Sequence, residues 1–415
     1  MLAFCWQFAI VHFAYSGNWT SLFYTGETRL APTPEELDSE HIYRFPGVIG
    51  YDGEMYHLIA HDPLFHRNFA HFIDTPRMRY RRILVPGLAA LLSFGRNQWV
   101  DPAYFSVILG FIFLGAFWLA RWSLLHGKSA YWGLLFLATP ATLMAIPLMI
   151  VDVSLAALTV AVFLYAEEKS PVKLFLVLAC ATLARETGML VVIGWCAWLV
   201  LQRCWLSAAK YAAAILPAAC WMVFVQSRFP PAGPVWLSPM PLYGLFQALL
   251  HPFEYPAGMK ANVLVPLDRI ALFGMLLALA FAFYDVARPS IRDHKTLIAL
   301  MFAGLALFLG GGGVWPEVGS FGRNFTPLVF AIAMSGIASG NRWRFIPLMA
   351  IDPRIGVIYV SQAVRAIGSI AHFGTFAILW LNEYMQTGIA CAAVGRLCRY
   401  SAGILLAICD GSSYL

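Results

Sequence analysis

From residue 83 onward the chain is written as a succession of apolar runs with very few charges inside them. They fall at 83–95, 103–120, 129–151, 153–166, 171–184, 187–202, 211–227, 270–284, 296–315, 324–340, 366–381 and 386–409. Only 12% of the 415 residues are charged and 60% are hydrophobic. A water-soluble domain carries about 25% charged residues. Half that supply cannot clothe a globule of this size, so the natural solvent of most of the surface is lipid. The runs predict an all-α, polytopic transmembrane bundle of about 10–12 spans, judged against the roughly 20 residues that cross a bilayer. Two regions follow from the pattern. One is a transmembrane module over 1–345, with a polar first outer loop at 16–82. The other is a set of C-terminal membrane helices over 346–415.

The formal charge of +6 is not spread as a nucleic-acid surface would be. Basic residues cluster between apolar runs: Arg121 with Lys128, Lys169 with Lys173, Arg203 with Lys210, Arg288 with Arg292 and Lys295, and Arg342 with Arg344. The positive-inside rule assigns these five to the cytoplasm. The turn at 147–152, the break at Arg185–Glu186, the loop 228–266 and the loop 314–323 then lie outside. Upstream, the count conflicts unless one run fails to cross, and the short 83–95 is the candidate. Residues 2–15 lack a basic n-region and a cleavage site, and read as a retained span or the tail of one. The eight cysteines show no C-x-x-C pair or zinc spacing.

Against this background the loop 16–82 stands out. Its stretch "GYDGEMYHLIAHDP" (50–63) holds Asp52, Glu54, His57, His61 and Asp62. Read as a helix over 54–72, it is an interfacial amphipathic helix with the acids at its positive end. Downstream, "IDTPRMRYRRILVPGL" (73–88) crowds Arg77, Arg79, Arg81 and Arg82 against the next apolar run. A carboxylate can serve as base toward an acceptor hydroxyl, and guanidinium forks bind phosphate oxygens. A sugar on a lipid phosphate, attacked by a hydroxyl at the membrane surface, needs both.

Bland alternatives stand beside each reading. Asp52 and Glu54 can cap a helix, and the arginines can anchor lipid headgroups. His57 and His61 share a face at i, i+4. They are either packed interfacial residues or metal ligands with Asp52, Glu54, His66 or His71. Arg185 and Glu186 interrupt an apolar stretch, either facing a site or neutralising each other at an outer turn. Arg323 ends another run within reach of a phosphate. Asp268 and Arg269 read as a pair at a span end.

Taken in order, "GYDGEMYHLIAHDP", "DTPRMRYRRILVP", "LATP" (137–140) and "TLARETGMLV" (182–191) resemble a family of bacterial multispanning glycosyltransferase-like proteins of the GT-C fold. "FGRNFTPLV" (321–329) is a fainter echo. The resemblance covers about 15–200. It implies an inner-membrane, multi-pass enzyme moving sugar from a polyprenyl-phosphate donor to an acceptor on the outer face. Asp52 falls on the acid that acts as base or binds Mg²⁺ or Mn²⁺, with Glu54 assisting. Arg79, Arg81, Arg82 and Arg185 hold the phosphate, and Glu186, Asp62, His57, His61 and Arg323 support them. Membrane lipids and a membrane protein complex are the other partners, and nucleic acid is not one. Two departures count against the resemblance: Glu54 stands where Gln is usual, and Asp152 in "MIVDVSL" has no adjacent arginine. They keep open a second reading, a non-catalytic subunit or scaffold of a larger membrane complex. A transporter is a third, without a visible inverted repeat.

Overall fold

The apolar runs become helices, but of two lengths. The structure is a computed structural model that describes residues 1–28, 34–230, 237–255, 259–288, 293–310 and 314–387. Arg292, the glycines 311–313 and the C-terminal run from 388 on lie outside the described residues. The helices used below are α1 (Leu2–Ala14), α2 (Asp52–His61), α3 (Leu84–Leu92), α4 (Asn97–Leu125), α5 (Pro140–Leu148), α6 (Asp152–Glu167), α7 (Pro171–Ala184), α8 (Gly188–Leu201), α9 (Met259–Ala287), α10 (His294–Phe308), α11 (Val318–Asn324), α12 (Thr326–Ser339) and α13 (Ile346–Thr387). Among the described residues the only sheet is a two-residue parallel pairing, Thr25–Gly26 with Arg44–Phe45, inside the first loop.

This is an all-helical chain of membrane-protein character. Three helical segments are long and apolar enough to cross a bilayer: Asn97–Leu125, Trp205–Arg228 and Asn262–Ala287. The segments Ala130–Ala138 and Pro140–Leu148 add a fourth if their 62° bend lies within one span. Five other apolar helices, α1, α7, α8, α10 and α12, have 13 to 15 residues. At about 1.5 Å per residue each covers roughly 20–23 Å, short of the ~30 Å hydrocarbon layer. The break at Arg185 agrees with the sequence, whereas the one at Thr139 falls inside the single run 129–151. Pro140 starts a new helix after the extended Thr139, and the extended Arg185 closes α7.

Helix α6 is the axis. It is apolar all round after Asp152, and every residue from Asp152 to Leu164 is buried, as a helix surrounded by others must be. Its two ends define two polar ends of the bundle. At the Glu167 end, Arg121 pairs with Glu168 at 2.5 Å, and Lys295 and His126 approach Glu167 at 2.9 and 3.4 Å. Arg344 forks onto Asp285 at 2.6 and 2.5 Å. At the Asp152 end gather the first loop, the Arg185–Glu186 break and the segment carrying Arg323. Arg121 and Lys295 thus lie at one end of α6, and Arg185 and Arg323 at the other. Helix α3 has nine residues, about 14 Å, too short by itself for a ~30 Å hydrocarbon layer. Helix α4 starts on the side of the first loop and ends beside Glu168.

The tail helix α13 joins the bundle, packing on α9 and α1. Arg354 on α13 takes Asp268 at 2.8 Å, and Tyr255 donates to the same carboxylate at 2.7 Å. The expected pairing of Asp268 with Arg269 is corrected: neighbours in sequence point different ways from a helix, and Asp268 is the inward one.

Helix α2 is shorter than the 54–72 expected. It stops at His61 because the Asp62 carboxylate takes the next turn, accepting from the backbone N–H of His66, Arg67 and Phe69 at 2.6, 3.1 and 3.2 Å. Eight of its ten residues are buried. A β-carbon on Gly53 would lie 2.2 Å from the Leu148 carbonyl oxygen and 2.8 Å from that of Phe23. Only glycine lets the helix seat so closely on the end of α5. Gly53→Ala should therefore push α2 outward and cost about 1–3 kcal/mol, read as a lower thermal unfolding midpoint in detergent. An unchanged midpoint would show that α2 is not seated there.

Candidate functional site

The seat of α2 places Asp52 at the Asp152 end of α6. Arg79 Nη1 reaches one Asp52 oxygen at 2.7 Å, and Arg323 Nη2 reaches the other at 2.5 Å. Arg79 also forks onto Asp74 at 3.0 and 2.9 Å. On its other side Arg323 faces Asp152 at 3.6 Å, and Asp152 is in direct ion contact with Arg185. Arg185 approaches Glu186 at 3.7 Å, and Glu186 receives Arg82 Nε and Nη2 at 2.9 and 2.6 Å. Arg82 Nη1 donates to the Tyr56 hydroxyl at 2.7 Å.

Carboxylates and guanidiniums therefore alternate: Asp74, Arg79, Asp52, Arg323, Asp152, Arg185, Glu186, Arg82. The four negative and four positive charges balance. The middle of the chain is dry, whereas two carboxylates toward its ends reach water: the side chain of Asp152 is 2% exposed, that of Asp74 43% and that of Glu186 31%. Buried charges persist only when paired in this way. Burial opposes the charge on Asp52, but Arg323 and Arg79 outweigh it and hold the carboxyl well below the usual carboxylate range. Burial likewise opposes the charge on Arg79 and Arg82, and the carboxylates Asp52 and Glu186 keep them firmly protonated.

Several sequence expectations meet here. Asp52, Arg79, Arg82, Arg185, Glu186 and Arg323 lie in one connected ion-pair network. Asp152, read as an acid with no arginine, has two, brought from α11 and from the break after α7. The remaining residues stand apart from the network. The Glu54 carboxylate accepts from the Gly26 backbone N–H at 3.1 Å, tying the first loop to α2. Asp62 organises the turn after α2. Arg81 and Arg77 have no ion-pair partner among the described residues, and the Nε of each is buried without a hydrogen bond. Asp74, Tyr56 and Tyr51 were not foreseen. Tyr51 lies under Arg323, ring centroid 5.1 Å away, and donates to Glu317 at 2.9 Å.

Both Asp52 oxygens are engaged by guanidiniums, which leaves no face for a Mg²⁺ or Mn²⁺ ion among those charges. The donor set at Asp52 does not fit a metal, and no step is assigned to one there. His57 and His61 turn to another side of α2, away from Asp52. His57 stacks on Phe23 with ring centroids 4.0 Å apart and meets Asp101 at 2.7 Å. Burial opposes its protonation, but Asp101 and Glu40 prevail and push its pKa up to about 9. The partners expected for these histidines, Asp52, Glu54, His66 or His71, are replaced by Glu40 and Asp101.

Breaking a buried pair leaves an uncompensated charge. Arg323→Met should cost about 3–5 kcal/mol, and adding Asp52→Asn should recover part of that loss. Thermal unfolding of both single variants and the double variant measures the coupling; strictly additive effects would refute it.

No family model, curated protein or solved structure matches this chain.

Proposed function

We propose that the chain is a membrane glycosyltransferase with a GT-C-like bundle, moving a sugar from a polyprenyl-phosphate donor to an acceptor at the outer face of a bacterial inner membrane. The observation that supports it is Asp52 held between Arg79 and Arg323 at one end of the bundle, with two further guanidiniums, Arg77 and Arg81, unpaired on the same segment. In this reading the lipid tail lies along the apolar flank and the phosphate meets the arginines. The acceptor oxygen bonds to the anomeric carbon, the bond from that carbon to the phosphate oxygen breaks, and the electron pair leaves on the phosphate. The acceptor proton passes to Asp52.

Electrostatics gives the order of events. With both guanidiniums in place, Asp52 is a poor proton acceptor. A phosphate that draws Arg79 toward itself removes one cation from Asp52, so donor binding makes the carboxylate a better base. Arg81 brings charge the protein has not already neutralised, which suits it to the incoming phosphate.

One observation favours the second reading, a non-catalytic subunit of a membrane complex. The eight-membered network is neutral by itself, as a structural lock would be. Turnover of polyprenyl-phosphate sugars by the purified chain separates the two. The transferase reading expects Asp52→Asn to lower kcat by about 10²–10⁴, and Arg81→Gln to act mainly on KM. Both variants should elute as folded monodisperse protein. No turnover by the wild-type chain, together with stoichiometric co-purification of partner subunits from native membrane, would establish the subunit instead.

A further inference from the structure

The histidine face of α2 is used by nothing described above. Three segments distant in sequence meet there: Glu40 from the loop, His57 and His61 from α2, and Asp101 from the first turns of α4. The donor atoms of these four side chains all lie within 4.8 Å of one another. Three histidine-to-carboxylate distances are 3.6, 3.4 and 3.5 Å: His57 Nε2 to Glu40 Oε2, His61 Nε2 to Glu40 Oε1 and His61 Nε2 to Asp101 Oδ1. Four bonds of about 2.0–2.2 Å at tetrahedral angles place ligand atoms roughly 3.3–3.6 Å apart. The fourth contact, His57 to Asp101, is a hydrogen bond at 2.7 Å.

His61 points the same way. Its side chain is 0% exposed, its Nδ1 has no hydrogen-bond partner, and its Nε2 has only the long contacts to Glu40 and Asp101. Burying an imidazole so poorly satisfied is costly. The cost is recovered if a ligand sits between His61, Glu40 and Asp101. Glu40 Oε2 is also buried and without a hydrogen bond. A cavity of about 670 Å³ opens beside the cluster, with Glu40 and Asp101 in its wall, and gives access from solvent; Arg96 lines the same cavity.

We propose that Glu40, His57, His61 and Asp101 form a binding site for one divalent transition-metal ion of the zinc class. Two imidazoles and two carboxylates suit Zn²⁺ or Co²⁺, whereas Mg²⁺ takes oxygen ligands and retains water. The ion takes the place of the proton shared by His57 and Asp101 and lengthens that contact. His57 is fixed by its stack on Phe23, so its Nε2 is already aimed. The ion clamps loop, α2 and α4 together beside the Asp52 network without belonging to it.

The full chain, purified in detergent, treated with chelator and dialysed, is titrated with Co²⁺ and separately with Zn²⁺. The site expects saturation near one ion per chain, an intense visible Co²⁺ spectrum of tetrahedral type that Zn²⁺ bleaches, and a Zn²⁺-dependent rise in the unfolding temperature. Excess Mg²⁺ should leave all three unchanged. His61→Gln and Asp101→Asn should each weaken Co²⁺ binding at least about tenfold and abolish the thermal shift. A wild-type chain that gives no saturable tetrahedral Co²⁺ spectrum overturns the site, whether or not the variants fold. So does unchanged Co²⁺ affinity in both variants, or equal displacement by Mg²⁺.

Discussion

Four carboxylates and four guanidiniums, buried at one end of a helical bundle, form the constraint on which the polar half of this protein depends. Each charge is tolerable only because the next has the opposite sign. The members come from α2, the arginine segment after it, the start of α6, the break after α7, and α11. Removing one of the dry central members, Asp52, Asp152, Arg185 or Arg323, leaves a neighbour's charge uncompensated in a low-dielectric interior. The network therefore ties five segments to one geometry more firmly than apolar packing would, since apolar surfaces can slide and ion pairs in a dry interior cannot.

The axis explains why the charges collect there. Helix α6 has no polar face beyond its first residue, so nothing charged can lie along it. The charges are expelled to its two tips. At the Glu167 tip they pair simply, Arg121 with Glu168 and Lys295 with Glu167. At the Asp152 tip, α2 and the arginine segment fold over the end and are drawn into the pairing.

How much of this was legible depends on the kind of signal. The helical, lipid-facing character follows from scarcity of charge, a property of composition that no packing detail can reverse. Which residues stand out was also legible, because charges in so apolar a chain are few; that Asp52, Arg82, Arg185 and Arg323 adjoin one network is seen only in the fold. Helix breaks were legible in part: a charged pair marks the one at Arg185, but nothing in hydropathy distinguishes a continuous span from the pieces on either side of Thr139, where backbone conformation decides. Partners across the fold were hidden as well. Asp152 looked solitary because its arginines come from positions 185 and 323, and the histidine pair suggested a site whose acids, Glu40 and Asp101, lie outside the motif. The i, i+4 spacing carries the face but not what approaches it.

The ten residues of α2 present two unlike surfaces on one rigid rod about 15 Å long. Asp52 and Tyr56 belong to one, His57 and His61 to the other, and Gly53 pins the rod's first turn against the carbonyl of Leu148. With eight of its ten residues enclosed and the turn after it tied down by Asp62, the rod is anchored at both ends, so carboxylate and imidazoles keep a fixed mutual orientation.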